Sequence, residues 1–130
     1  MNEALAILRH FLHVRDGGRA DVIPVTDCFW QDLDDGAHPE LEHGRLLSAF
    51  TFSEPWPSWE CHPAGDELVM LLSGRAEVLL EEAGTVRTLS LEAPGDYVLV
   101  PTGAWHTART RVATTMLFLT PGAGTEHRTV

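Results

Sequence analysis

The chain contains no lysine; all nine of its basic residues are arginine. That removes lysine Schiff-base chemistry and the lysine of a Walker-type phosphate loop. Cysteine is nearly as scarce. Cys28 and Cys61 make no CxxC pair and no disulfide framework, so both are expected as reduced thiols in a cytoplasmic protein. No apolar run approaches the ~20 residues of a membrane-spanning helix. The N-terminus lacks the basic start and cleavage site of a signal peptide, and no basic run suggests an anionic membrane surface. The formal net charge is −10, with 19 acidic residues. Binding a nucleic acid duplex is driven largely by basic neutralisation of phosphates, so neither nucleic acid nor membrane is an expected partner. No serine stands in a Gly-x-Ser-x-Gly, so a hydrolase elbow is absent too.

At 130 residues the chain is expected to form one domain. That length buries roughly 68% of the surface the unfolded chain exposes. Leu5, Leu8 and Leu12 fall at helical spacing and predict a short helix from Asn2, its N-cap, to about Leu12. Arg19 to Val25 reads as a short strand, and Thr26 as the N-cap of a helical turn through Trp30. The polar stretch from Asp32 to Gly44 reads as a solvated loop despite His38, Glu40, Glu42 and His43. From Leu46 the pattern is β. Strands are expected near 46–53, 58–62, 67–72, 75–81, 86–91, 96–100, 104–109 and 112–119, separated by Gly/Pro turns. Such spacing predicts a sandwich or barrel. The chain thus divides into a helical or extended segment (1–45), a barrel (46–119) and a Gly/Thr-rich tail (120–130). The tail is expected to be mobile or to reach a partner.

The chemistry concentrates in Trp59-Glu60-Cys61-His62-Pro63-Ala64-Gly65-Asp66-Glu67. Glu60 and His62 are two residues apart, which on a strand places them on one face and Cys61 on the other. A turn through Pro63 to Asp66 then returns the chain so that Glu67 comes alongside. A second stretch, Gly95 to His106, offers His106 as a fourth partner. Glu60, His62, Glu67 and His106 are candidate ligands for a divalent metal. The alternative is a polar cluster that holds none. Burying carboxylates unpaired is costly, and a cation removes that cost.

Two pairs compete to line a pocket, Phe50 with Phe52 and Tyr97 with Leu99, because the register is open. Trp59 and Trp105 flank ligand positions but point away by alternation. Asp66 reads as a turn residue. Arg75 and Arg109 are the basic candidates for an acidic ligand, against a plainer role in surface ion pairs. Val69 and Leu71 share the face of Glu67, while Leu68, Met70 and Leu72 form the opposite face, so both faces need cover. One is the interior. The other is expected to meet a second copy in a homodimer, or the N-terminal helix.

The two site stretches resemble the motifs of the cupin superfamily, specifically of its small single-domain members. The first motif is roughly G-x5-H-x-H-x3-4-E-x6-G, and His62, Glu67 and Gly74 match it at the expected spacing. The second is G-x5-P-x-G-x2-H-x3-N, matched by Gly95, Pro101, Gly103 and His106. The departures are Glu60 in place of the first His, Glu54 in place of the opening Gly, and the closing Asn, lost to Arg109 or Thr110. The resemblance implies an all-β fold, a double-stranded β-helix (cupin or jelly-roll) barrel, here with a short N-terminal helix. It implies a divalent transition metal (Zn, Mn, Fe or Ni) at three kept ligand positions, His62, Glu67 and His106, with the fourth altered to the carboxylate of Glu60, which can still bind one. A metal-dependent enzyme on a small molecule follows, of dioxygenase, isomerase or decarboxylase type. The alternatives are a non-catalytic module for a small acid or sugar, and a vestigial structural dimer.

Overall fold

The computed structural model describes residues 3–130. Eleven strands build two antiparallel sheets. The first has the order β2-β1-β3-β10-β5-β8, formed by Ala20–Pro24, His10–Val14, Arg45–Phe52, Thr114–Pro121, Glu67–Ser73 and Tyr97–Val100. The second has the order β11-β4-β9-β6-β7, formed by Glu126–Thr129, Ser58–Cys61, His106–Arg109, Ala76–Glu82 and Thr85–Leu91. Consecutive strands repeatedly alternate between the sheets, as in a jelly roll. The eight strands expected from Leu46 onward are all present.

Alternation along the strands builds the core. Val69, Leu71, Val98, Val100, Met116 and Phe118 face inward from the first sheet and meet Ala76, Val78, Leu80 and Leu91 from the second. Each of these side chains is buried, which is the main source of stability. Gly74 closes the β5–β6 turn at φ +79°, where a Cβ would collide with the Ala113 carbonyl oxygen. Only glycine fits there.

The N-terminal half departs from expectation. No helix forms over the described part of residues 2–12; Asn2, the expected N-cap, lies outside the described residues. Ile7 to Arg9 form a turn, and His10–Val14 forms β1. The leucine spacing lost to a different pattern: Phe11 and His13 are buried while Leu12 and Val14 are half-buried, a period of two that pairs with β2 and β3. The short helix lies later, as α1 (Phe29–Asp34), and its N-cap is Cys28 rather than Thr26. Phe29 packs with Phe11, Leu41 and Leu46 in a second small cluster beside the main core. A single 3-10 turn (Pro39–Glu42) supplies Leu41. The tail also differs from expectation: Glu126–Thr129 pairs with β4 as β11.

The outer face of the first sheet is apolar across its full width. Cross-strand register aligns Val22, Leu12, Leu47, Leu119, Leu68 and Leu99 in one row. Ala49, Leu117, Met70 and Tyr97 form the next. Tyr97 and Leu99 are 60% and 56% exposed. Helix α1 packs on the inward side of β1 and β3, so it leaves this face open.

Candidate metal centre

Three strands carry three groups to one point inside the barrel. His62 follows β4, Glu67 opens β5 and His106 opens β9. The intervening turn is pinned from outside: the Thr102 amide and hydroxyl both donate to Asp66 Oδ1 at 2.8 Å. This ties the turn before Glu67 to the turn before His106, and it holds the Asp66 carboxyl below its usual range. Asp66 is thus a structural clasp, in line with its reading as a turn residue.

His62, Glu67 and His106 are almost fully buried, at 4%, 4% and 1% exposure. Their ligand atoms all lie within 4.8 Å of one another. Glu67 Oε1 stands 2.8 Å from His106 Nε2 and 3.3 Å from His62 Nε2. None of the three atoms completes a hydrogen bond of acceptable alignment. Burial alone would raise the Glu67 pKa, but the two imidazoles outweigh it and bring the carboxyl to about 2. Burial pulls His106 down, and the Glu67 carboxylate overrides it to leave the imidazole above its ordinary value.

The outward atoms of the same groups are each held. Thr120 Oγ1 donates to Glu67 Oε2 at 2.6 Å. His62 Nδ1 meets Thr125 Oγ1 at 3.0 Å, and His106 Nδ1 meets the Ala104 carbonyl at 3.2 Å. Such outer partners set ring orientation and tautomer. What remains pointing inward is two Nε2 atoms and one Oε1, buried and unsatisfied, the donor set that suits a divalent transition ion. Leaving three such atoms unmatched is costly; a cation offsets that cost.

Glu60 pairs directly across from His106 in the β4–β9 register, yet its carboxylate stands outside the converging group. It faces His127 of β11 instead, at 3.6 Å. Burial, and then the nearby Glu67 charge, raises its pKa. Thr120, Thr125 and His127 were absent from the sequence reading. Thr120 had a faint signal, since it continues the inward set of Met116 and Phe118 as a polar group on an apolar face. Thr125 and His127 had none, because nothing local pairs the tail with β4.

A cavity of about 770 Å³ opens beside His62 and Glu67. Its apolar wall is Trp30, Phe50, Trp56 and Phe118, with Phe50 stacked on Phe118 at 5.2 Å. The competing pocket pairs are therefore resolved by register. Phe50 lines the cavity; Phe52 packs against the core beside Trp56 without lining it. Tyr97 and Leu99 are corrected to the outer face, because Val98 and Val100 take the inward positions of β8. Trp59 and Trp105 point away as expected, with the Arg128 guanidinium over both rings at 5.2 and 4.7 Å. Arg109 pairs with Glu77, and neither it nor Arg75 reaches the cavity.

Two sheets, a barrel interior and a ligand trio at one end can be compared with known folds. A cupin-2 domain protein of Shewanella frigidimarina aligns with TM-score 0.50 and 16% identity, covering 59% of this chain and 70% of that one. A cupin superfamily protein of Desulfitobacterium hafniense aligns with TM-score 0.50 and 24% identity, over 60% of this chain and 67% of that one. The chain has the cupin fold. A longer chain, the Bacillus subtilis oxalate decarboxylase with its Mn(II) centers, aligns with TM-score 0.52 and 21% identity over 66% of this chain and 24% of that one. No protein-family model matches the chain, and no curated protein matches it in sequence. At these identities the likeness is one of fold. Among the described residues, no helix is long and apolar enough to cross a membrane.

Proposed function

We propose that this cupin binds one divalent transition metal through His62, Glu67 and His106, and uses it on a small organic molecule held in the adjoining cavity. The observation that carries the reading is the convergence of three buried, unsatisfied ligand atoms whose outward atoms are each anchored. Zn, Mn, Fe(II) and Ni all suit two imidazoles and a carboxylate. A bound ion of this kind supplies Lewis-acid polarisation of a substrate oxygen.

The chain's own residues divide the remaining work. Thr120, Thr125 and the Ala104 carbonyl orient the ligands. Trp30, Phe50, Trp56 and Phe118 exclude water and position the substrate. Glu60, on this reading a cavity carboxyl rather than a fourth ligand, holds or passes a proton at Oε1, facing His127. That arrangement favours an enzyme over a vestigial barrel, whose interior side chains would fill the cavity. Cys61 takes no part: it is buried, and burial, then Glu126, raises its pKa, so its thiol is inert.

On the same reading the chain is a cytoplasmic, single-domain homodimer that covers the apolar outer face of its first sheet with a second copy. Light scattering should give a dimer mass, and Leu68→Glu with Leu99→Glu should give a monomer.

Elemental analysis tests the metal reading, on untagged protein, wild type beside His106→Ala, with circular dichroism as the control for folding. The expected result is about one equivalent of a single transition metal, lost in the variant. A substoichiometric content that the substitution leaves unchanged overturns it.

A further inference from the structure

The cavity's chemistry also selects its ligand, given the metal reading above. Two kinds of side chain line the cavity. One is aromatic: Trp30 meets Phe50 at 6.2 Å, Phe50 meets Trp56 at 5.9 Å, and Trp56 meets Phe118 at 5.7 Å. The other is acidic: Asp34, Glu42 and Glu60, with Glu67 among the buried ligands. None of the chain's nine arginines lines this cavity. Four of them are held in ion pairs elsewhere, Arg15 with Asp21, Arg87 with Glu82, Arg109 with Glu77 and Arg128 with Glu81.

Recognition of a carboxylate or phosphate ordinarily uses an arginine fork or a lysine. This cavity has neither. Asp34, Glu42 and Glu67 alone, without counting Glu60, outnumber the two positive charges of a bound ion. An anion entering would be desolvated beside like charges, and apart from the ion the only basic lining side chain outside the ligand trio is the His127 imidazole, which faces Glu60. A flat apolar ring, by contrast, finds aromatic partners among the indoles of Trp30 and Trp56 and the phenyls of Phe50 and Phe118. An ammonium on that ring finds the acidic side chains and the π faces together.

We infer that the cavity takes a ring-bearing molecule with a cationic amine, or secondarily a neutral hydroxyl, and discriminates against carboxylates and phosphates. The cavity would therefore not take the small acid that the fold alone allows.

Three probes share one ring and differ only in charge: benzylamine, benzyl alcohol and benzoate. Each is titrated by tryptophan fluorescence and calorimetry into metal-loaded and chelator-treated protein, with metal content measured in the same samples. Benzylamine should bind at least tenfold more tightly than benzoate at low ionic strength, with benzyl alcohol between them. The gap should shrink toward 0.5 M salt, where the screening length falls to about 4 Å. It should also narrow several-fold in Asp34→Asn with Glu42→Gln, both outside the ligand trio. Benzoate binding as tightly as benzylamine, or none of the probes binding, overturns the inference. Metal stoichiometry in the same samples separates that failure from a failure of the metal site. A protein that holds one ion and prefers benzoate loses only the ligand class. One that prefers benzylamine without holding metal loses only the metal reading.

Discussion

Glu67→Gln separates a metal site from a polar cluster more sharply than any other substitution. Glutamine is nearly isosteric, and its amide oxygen can still accept from Thr120 Oγ1, which donates to Glu67 at 2.6 Å. The Glu67 carboxylate is what raises the His106 pKa, so at pH 8 that imidazole has no reason to hold a proton once the carboxylate is gone. Removing the charge then strands no partner charge, the usual source of a large penalty at a buried pair. Without metal the variant should melt about 11 °C below wild type, because it lacks the ~3 kcal/mol that the depressed Glu67 pKa contributes at this pH. With metal the gap should widen. An ion at 100 times its Kd stabilises the folded state by about 2.7 kcal/mol. For 130 residues, at ~2.1 cal/mol/K per residue, the unfolding entropy is about 0.27 kcal/mol/K, so the rise is about 10 °C. If the lost ligand weakens binding 100-fold, the same metal concentration gives ~0.4 kcal/mol, a rise of less than about 2 °C. Differential scanning calorimetry with and without metal reads both arms. An equal metal-induced rise in both proteins would refute the reasoning, because Glu67 would then not be a ligand.

Further expectations follow from single contacts. Thr125→Val deletes the partner of His62 Nδ1 and should weaken metal binding about 10–100-fold without altering the fold, as read by a competitive chelator titration. Ala83 sits at φ +49° in the β6–β7 turn, so Ala83→Gly should raise stability by about 1 kcal/mol, some 4 °C in the melting temperature. In metal-free protein Glu67 is depressed from 4.5 to about 2. That stability is therefore present above about pH 4.5 and is lost as pH falls toward 2. Acid titration followed by circular dichroism should show about 3 kcal/mol disappearing over that window, and Glu67→Gln should lack this component.

How much could be read without coordinates depended on whether the signal was local. The strands from Leu46 onward carry their own alternation and their own Gly/Pro breaks, so their positions follow from neighbours in sequence. The Leu5, Leu8 and Leu12 spacing was equally local and misled. Pairing of β1 with β2 and β3 buries Phe11 and His13, and that tertiary gain outweighed helical periodicity. The tail reads as turn-like in isolation because its partner, β4, lies more than sixty residues away in the chain.

The same division runs through the site. Spacing within two short stretches was enough to nominate His62, Glu67 and His106, because a two-residue period, a tight turn and a strand start are properties of adjacent residues. Glu60 met that local rule and still fell outside the converging group, since convergence depends on how β4, β5 and β9 sit in space. Register across the sheets alone turned Phe50 inward and Tyr97 with Leu99 outward. Folding alone brought Thr120 and Thr125 to the outward atoms of the ligands, and kept every arginine from the cavity. Composition determined that charge would be negative and lysine absent; where that charge would face was a matter of long-range packing, which one stretch of chain does not encode by itself.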